Sequence, residues 1–162
     1  TYQLAELVAK GKRGDRDAAA RALYGEVFER FPKSARAPQA LNRKATLEDK
    51  AKLRLVDPEL QASVPASLVT YRSLVRTYPS SPVAEPAYEA LSERYKDVRQ
   101  FTLAAEALEQ LASHFPANRS DAAWRAGEIY EDKVKDQARA RAAYALVPST
   151  SPRYRDAQKK LR

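Results

Sequence analysis

Tyr88-Glu-Ala-Leu-Ser-Glu-Arg-Tyr95 and Ala104-Ala-Glu-Ala-Leu108, closed by Phe115-Pro116, decide how this 162-residue chain folds. The first segment lies in an apolar stripe of Ala84, Ala87, Tyr88, Leu91 and Tyr95, spaced i, i+3, i+4, i+7. That spacing puts side chains on one side of an α-helix, because 3.6 residues complete a turn. Phe101, Ala104, Ala105, Leu108, Leu111, Ala112 and Phe115 repeat the pattern. Between the two helices, residues 96–100 are polar and short enough for a tight connection. The stretch is one helical hairpin.

The same punctuation recurs outward in both directions. Phe31-Pro32, Tyr78-Pro79, Phe115-Pro116 and Ser151-Pro152 close four segments, with their prolines 47, 37 and 36 residues apart. Seven residues before each closing residue stands Tyr24, Tyr71, Leu108 or Tyr144. A fixed period of this length marks stacked helical hairpins, each too small to bury its apolar face alone. Ser81-Pro82 and Ser151-Pro152 place a capping residue before a proline at the first helical position. The pattern predicts helices over 2–11, 16–31, 35–55, 65–78, 82–97, 101–115, 119–133, 137–146 and 153–161. The expected fold is all-α with no β-sheet: four antiparallel hairpins at about 1–32, 33–79, 80–116 and 117–151, then a capping helix over 152–162, in a single domain. The longer first period is assigned to an elongated helix 35–55 and a loop over 57–65, where Asp57-Pro58 and Val64-Pro65 break the helix. The capping helix is expected to bury Tyr154, Ala157 and Leu161.

Counting back from Pro116, the chain supplies Tyr88, Leu91, Ser92, Tyr95, Ala104, Leu108 and Leu111; from Pro32, it supplies Leu4, Leu7, Val8, Ala20, Tyr24 and Val27. A third set is Ala123, Ala126, Gly127, Tyr130, Ala140 and Tyr144, with one extra residue in its turn. In these positions the chain resembles the tetratricopeptide-repeat family, over nearly its whole length apart from 42–64. The resemblance implies a right-handed solenoid whose first helices line a concave face that binds a partner segment. The tract Tyr78-Pro-Ser-Ser-Pro-Val-Ala-Glu-Pro-Ala87 resembles the repeats of bacterial cell-envelope proteins, such as outer-membrane-assembly lipoproteins and the Tol–Pal-associated periplasmic repeat protein. That likeness implies a periplasmic or envelope setting, with the cytoplasm as the alternative.

Composition narrows the chemistry. The chain has no cysteine and one histidine, His114, so thiolate–zinc sites, Cys–His pairs and multi-histidine metal sites cannot be built. His114 sits at a predicted helix C-terminus, where a cation complements the dipole. None of Gly11, Gly14, Gly25 and Gly127 forms a phosphate-cradling loop. Arg13-Gly14-Asp15 spells an adhesion tripeptide, yet it stands in a predicted turn where Gly and Asp belong anyway. No apolar run approaches the ~20 residues that cross a bilayer. No cofactor and no catalytic residue are assigned. The chain starts at Thr1 and stops inside a predicted helix, so it reads as a fragment of a larger protein.

The net charge of +8 invites a nucleic-acid reading, but its distribution does not favour one. Residues 1–79 carry 15 basic and 9 acidic groups, 80–132 carry 5 and 10, and 133–162 carry 9 and 2. An acidic middle interrupts the stripe that phosphates would need. Within it, Glu89, Glu93 and Lys96 fall roughly 80–140° from the apolar stripe of helix 82–97, and Trp124, Glu128 and Glu131 take matching angles on helix 119–133. These six residues form the expected partner-binding groove. Its carboxylates would select a protein or peptide of basic character. Trp124 has two readings: an exposed anchor in that groove, or a packing residue of its own hairpin. The paired carboxylates, Glu89 with Glu93 and Glu128 with Glu131 and Asp132, also suit a glycosidase in number, but they are read as a solvated helix face. The expected function is a non-catalytic protein–protein interaction scaffold, and the alternative is a basic helical-repeat module binding nucleic acid.

Overall fold

The computed structural model describes residues 1–10 and 14–162, with the side chains of 1–10 and 16–162. Of the Arg13-Gly14-Asp15 tripeptide, Arg13 and the Asp15 side chain fall outside the described residues. The described chain forms α1 (Tyr2–Ala9), α2 (Gly14–Arg30), α3 (Ala37–Lys50), β1 (Arg54–Asp57), β2 (Ala62–Pro65), α4 (Ala66–Thr77), α5 (Ala84–Asp97), α6 (Phe101–His114), α7 (Ala122–Ile129), α8 (Gln137–Ala145) and α9 (Tyr154–Leu161). Two compact units divide it, Thr1–Ala87 and Tyr88–Arg162, with the division falling inside α5.

In the first unit α1 packs on α2, α2 on α3, and α3 on α4. Tyr2, Ala5, Ala20, Tyr24, Val27 and Ala40 form its first core cluster, and the rings of Tyr2 and Tyr24 meet edge to face at 5.7 Å. The Tyr78 hydroxyl donates to the Pro32 carbonyl, and Tyr78 meets Phe28 edge to face. Two of the aromatic–proline closures are thereby tied together. One register differs from expectation. Leu4 and Leu7 are 52 % and 69 % exposed, and the buried stripe of α1 begins at Tyr2 and Ala5. Two more residues stand between Ala9 and Ala20 than between Tyr95 and Ala104, so counting back from the proline stops short on α1 by that amount.

The segment after α3 overturns the expectation of a sheet-free fold. Helix α3 stops at Lys50, not at 55, and Lys52 turns left-handed at φ 51°. Residues 54–57 and 62–65 then pair as an antiparallel hairpin in the register Arg54↔Pro65, Leu55↔Val64, Val56↔Ser63, Asp57↔Ala62. The physical reason is Asp57. Its carboxylate accepts the Glu59 and Leu60 N–H groups at 3.3 Å, closing the turn. It also accepts two bonds from the Arg72 guanidinium at 2.7 and 2.8 Å, and both side chains are buried. Glu59 repeats the arrangement with Arg76 at 2.7 and 3.0 Å. The hairpin is thus anchored to α4 by two forked ion pairs rather than left as a loop.

In the second unit α6 packs on α7, α7 on α8, and α8 on α9. Ser92, fully buried, donates to the Ala104 carbonyl at 2.9 Å and brings α5 close to α6. Gly127 stands 35 residues later and serves the same purpose between α7 and α8. A Cβ on Gly127 would lie 2.4 Å from a Tyr144 ring carbon. Tyr144 is hemmed in by Trp124, and its hydroxyl donates to Glu131 at 2.7 Å, so the ring cannot swing aside. Gly127→Ala is therefore expected to destabilise the protein by about 1–3 kcal/mol through overpacking, seen as a lower urea midpoint at unchanged slope.

Beyond Ile129 the helix widens into a π turn, Tyr130–Val134, ended by left-handed Lys135 at φ 64°. Asp136 then caps α8 through its bond from the Arg139 N–H at 2.9 Å. The last helix sets Ala157 fully inside and leaves Tyr154 and Leu161 half-buried. His114 is half-buried and stacks on Tyr88, with ring centres 6.0 Å apart.

Candidate functional site

Five of the six residues expected in a groove lie on α5 and α7, and three of them, Glu89, Glu93 and Lys96, are joined by a residue that sequence reasoning did not select. Arg125 donates to Glu89 at 2.7 Å and to Glu93 at 3.3 Å, bridging the two helices. Lys96 pairs with Glu93 at 2.6 Å. These side chains stay between 30 % and 48 % exposed, so the cluster is a wetted surface rather than a buried network. Arg125 was discoverable. It is the single base among the acidic positions of α7, and it lies three residues before Glu128 on the solvated side.

Glu131 turns the other way. It accepts from Lys160 of α9 at 2.7 Å and from the Tyr144 hydroxyl at 2.7 Å. The Lys160 ammonium, and then the Tyr144 proton, hold its carboxyl below the usual carboxylate range. Burial, and then that same carboxylate, push the Tyr144 hydroxyl well above the usual phenol range. At 100° per residue, Arg125 and Glu128 lie about 60° apart on α7, and Glu131 follows in the widened turn beyond it. Glu128 is exposed and makes no ion pair among the described residues. The result is a ladder of side chains across α5, α7 and α9, with one free carboxylate in its middle.

Trp124 does not belong to that open face. Only 8 % of it is exposed. Its ring lies 4.9 Å from that of Tyr144, and the Arg153 guanidinium stands over it at 5.7 Å. The helical angle explains the burial: Trp124 projects toward the α9 flank of α7, where Tyr144 and the turn before α9 close over it. A cavity of about 330 Å³ lies beside it, lined by Arg119, Asp121, Trp124, Leu146, Val147 and Pro148 among others. Ser151 donates to Asp121 at 2.7 Å across the mouth of that turn.

On the far helices, Arg139 of α8 pairs with Glu106 of α6 at 3.0 Å and covers the Tyr130 ring at 4.5 Å. Both flanks of the second unit therefore link one hairpin to the next by carboxylate–arginine contacts. The carboxylates suggestive of a glycosidase pair are all committed to these links, except exposed Glu128 and Asp132.

Successive helical hairpins with small residues at the contact and an aromatic–proline close define a tetratricopeptide-like fold. Solved structures of the same form include a crystal structure of MamA, a tetratricopeptide-repeat protein, at 17 % identity and TM-score 0.53, covering 91 % of this chain and 75 % of that one. A MamA RS-1 ArsTM double mutant matches at 14 % identity and TM-score 0.55, covering 99 % and 80 %. No family model matches the chain, and no curated protein matches it in sequence.

Proposed function

We propose that the chain is a non-catalytic protein-interaction scaffold and that the α5–α7–α9 face of its second unit receives a partner segment. The observation that carries this reading is the ladder itself. Glu89, Glu93, Lys96, Arg125, Glu131 and Lys160 are held by ion pairs, within α5 for Lys96 and between elements for the rest, yet stay partly open to water, and exposed Glu128 stands among them. Such a surface is preorganised, so binding does not have to order it. Within it Glu128, with exposed Asp132 close by in sequence, gives the face an unmatched negative centre. A partner segment carrying Lys or Arg fits that centre, and its association should slow as salt rises. The tract 78–87 supports an envelope assembly as the setting. No described helix is long and apolar enough to cross a membrane.

A titration of the isotope-labelled chain tests the reading. A lysine-rich synthetic peptide is expected to shift the amide signals of Glu89, Arg125, Glu128 and Asp132, and a glutamate-rich peptide to leave them in place. Glu128→Lys should weaken the first peptide about 3–10-fold while leaving the melting temperature unchanged. Equal shifts with both peptides would sink the proposal. Tight, salt-sensitive binding of random oligonucleotides at the basic ends would establish the nucleic-acid alternative instead.

A further inference from the structure

The two-stranded hairpin between α3 and α4 has one closed edge and one open edge. Ala66 N–H donates to the Leu53 carbonyl at 2.9 Å, and the register continues that pairing. Leu53/Ala66 is therefore a bonded position, although the Leu53 N–H turns back to the Glu48 carbonyl at 3.0 Å, and Leu55/Val64 and Asp57/Ala62 exchange hydrogen bonds, because bonded positions alternate along an antiparallel ladder. The N–H and C=O groups of Arg54 and Val56 consequently point outward from β1, and those of Ser63 outward from β2. On the β2 edge Pro65 offers no N–H, and the Ser63 carbonyl already accepts from the Arg54 guanidinium at 2.7 Å. That edge keeps a single outward N–H, at Ser63, and cannot continue a ladder. On the β1 edge no hydrogen bond among the described residues engages Arg54 or Val56 through the backbone. Proteins ordinarily blunt such an edge, because it templates pairing with another strand. This one instead carries Val56, 73 % exposed, with Leu53 and Leu55 at 38 % and 37 %.

We propose that β1 pairs with β1 of a second copy of this chain, antiparallel, about a two-fold axis through Leu55. That axis sets Arg54 opposite Val56 of the other copy, and Val56 opposite its Arg54. Each outward N–H then meets an outward C=O, and the two hairpins join into a four-stranded sheet. The side chains agree. Leu55 lies against its own counterpart, and Val56 faces the base of the other copy's Arg54, whose guanidinium stays on Ser63 of its own hairpin. No like charges stand directly opposite, as stable cross-strand pairing requires. An isologous contact of this kind is self-complementary by construction of the symmetry. The forked pairs from Arg72 and Arg76 hold the hairpin in shape beforehand, so little order is lost on pairing. The contact is small beside the ~1,200–2,000 Å² of a standard interface, so the dimer is weak.

Sedimentation equilibrium from about 10 μM to about 1 mM tests this. A reversible monomer–dimer equilibrium within that range is expected. Val56→Pro removes one outward N–H without touching the β1–β2 ladder, and should raise the dissociation constant about 10-fold or more at unchanged melting temperature. Ser63→Pro, at the corresponding outward position of the closed edge, should leave it unchanged. Amide exchange supplies a readout independent of any variant. In the unaltered chain, Arg54 and Val56 should gain protection as concentration rises, while Leu55, already bonded to Val64, should not. A monomer throughout, a dimer indifferent to Val56→Pro, or protection that ignores this alternation would each overturn the proposal.

Discussion

Asp57→Ala or Arg72→Met alone is expected to destabilise the protein by about 3–5 kcal/mol, because each breaks a buried forked ion pair; after Asp57→Ala the Arg72 guanidinium keeps its longer contact with Glu59 at 3.5 Å, so Arg72→Met lies at the upper end. Asp57 is fully buried and Arg72 is 5 % exposed, so neither survivor can turn to water. The double variant Asp57→Leu with Arg72→Met should lose distinctly less than the sum of the single changes, since both charges leave together. It should not recover fully, because Asp57 also accepts the Glu59 and Leu60 N–H groups that close the hairpin. Urea unfolding of the four chains gives the coupling directly, and additive losses would show that the pair is not the anchor. The acid limb follows the same chemistry. The Arg72 bonds hold the Asp57 carboxyl below its ordinary value of 3.8, and Arg76 does the same for Glu59. Their contribution is therefore complete at neutral pH and fades as pH falls below about 4 through the lowered folded-state values. Asp57→Leu with Arg72→Met should unfold with a shallower dependence on pH in that window.

Trp124→Ala is expected to cost about 3–5 kcal/mol as a core truncation. The ring fills the space between α7, Tyr144 and the turn that precedes α9, and Arg153 loses its aromatic platform when the ring is removed. Trp124→Phe should cost less, because it keeps a ring against Tyr144. Trp124 is the single tryptophan of the chain, so native fluorescence reports on it alone. Its emission should be blue-shifted and poorly quenched by acrylamide, and should move red as the protein unfolds. A red-shifted, readily quenched native signal with a stable Ala variant would return Trp124 to the open face.

The helices were legible because their signals are local. Tyr88, Leu91 and Tyr95 declare a stripe within eight residues, and Pro32, Pro79 and Pro116 mark where hairpins close. The β-hairpin was not, because Leu53, Leu55 and Val56 offer too short an alternation to outweigh the helix formers before them. What decides the segment is Arg72, a partner 15 residues from Asp57 that no periodicity reveals. The groove shows the same division. Helical angles placed Glu89, Glu93 and Lys96 on one side of α5, but whether a carboxylate is free or bridged depends on the neighbouring helix. Arg125 neutralises two of them across a separation of more than 30 residues, and Lys160 engages Glu131 from the far side. For Trp124, one residue of register separates the face from the seam, and only the packed ring of Tyr144 settles it.

The widened turn at Tyr130–Val134 fixes how the chain tolerates a change of length. A residue inserted into a regular helix would rotate everything after it by about 100° and throw the following contacts off their partners. Here the surplus is absorbed within one turn, and Lys135 and Asp136 reset the chain so that Ala140 and Tyr144 still meet α7. Single-residue gains and losses at this point are thus local events.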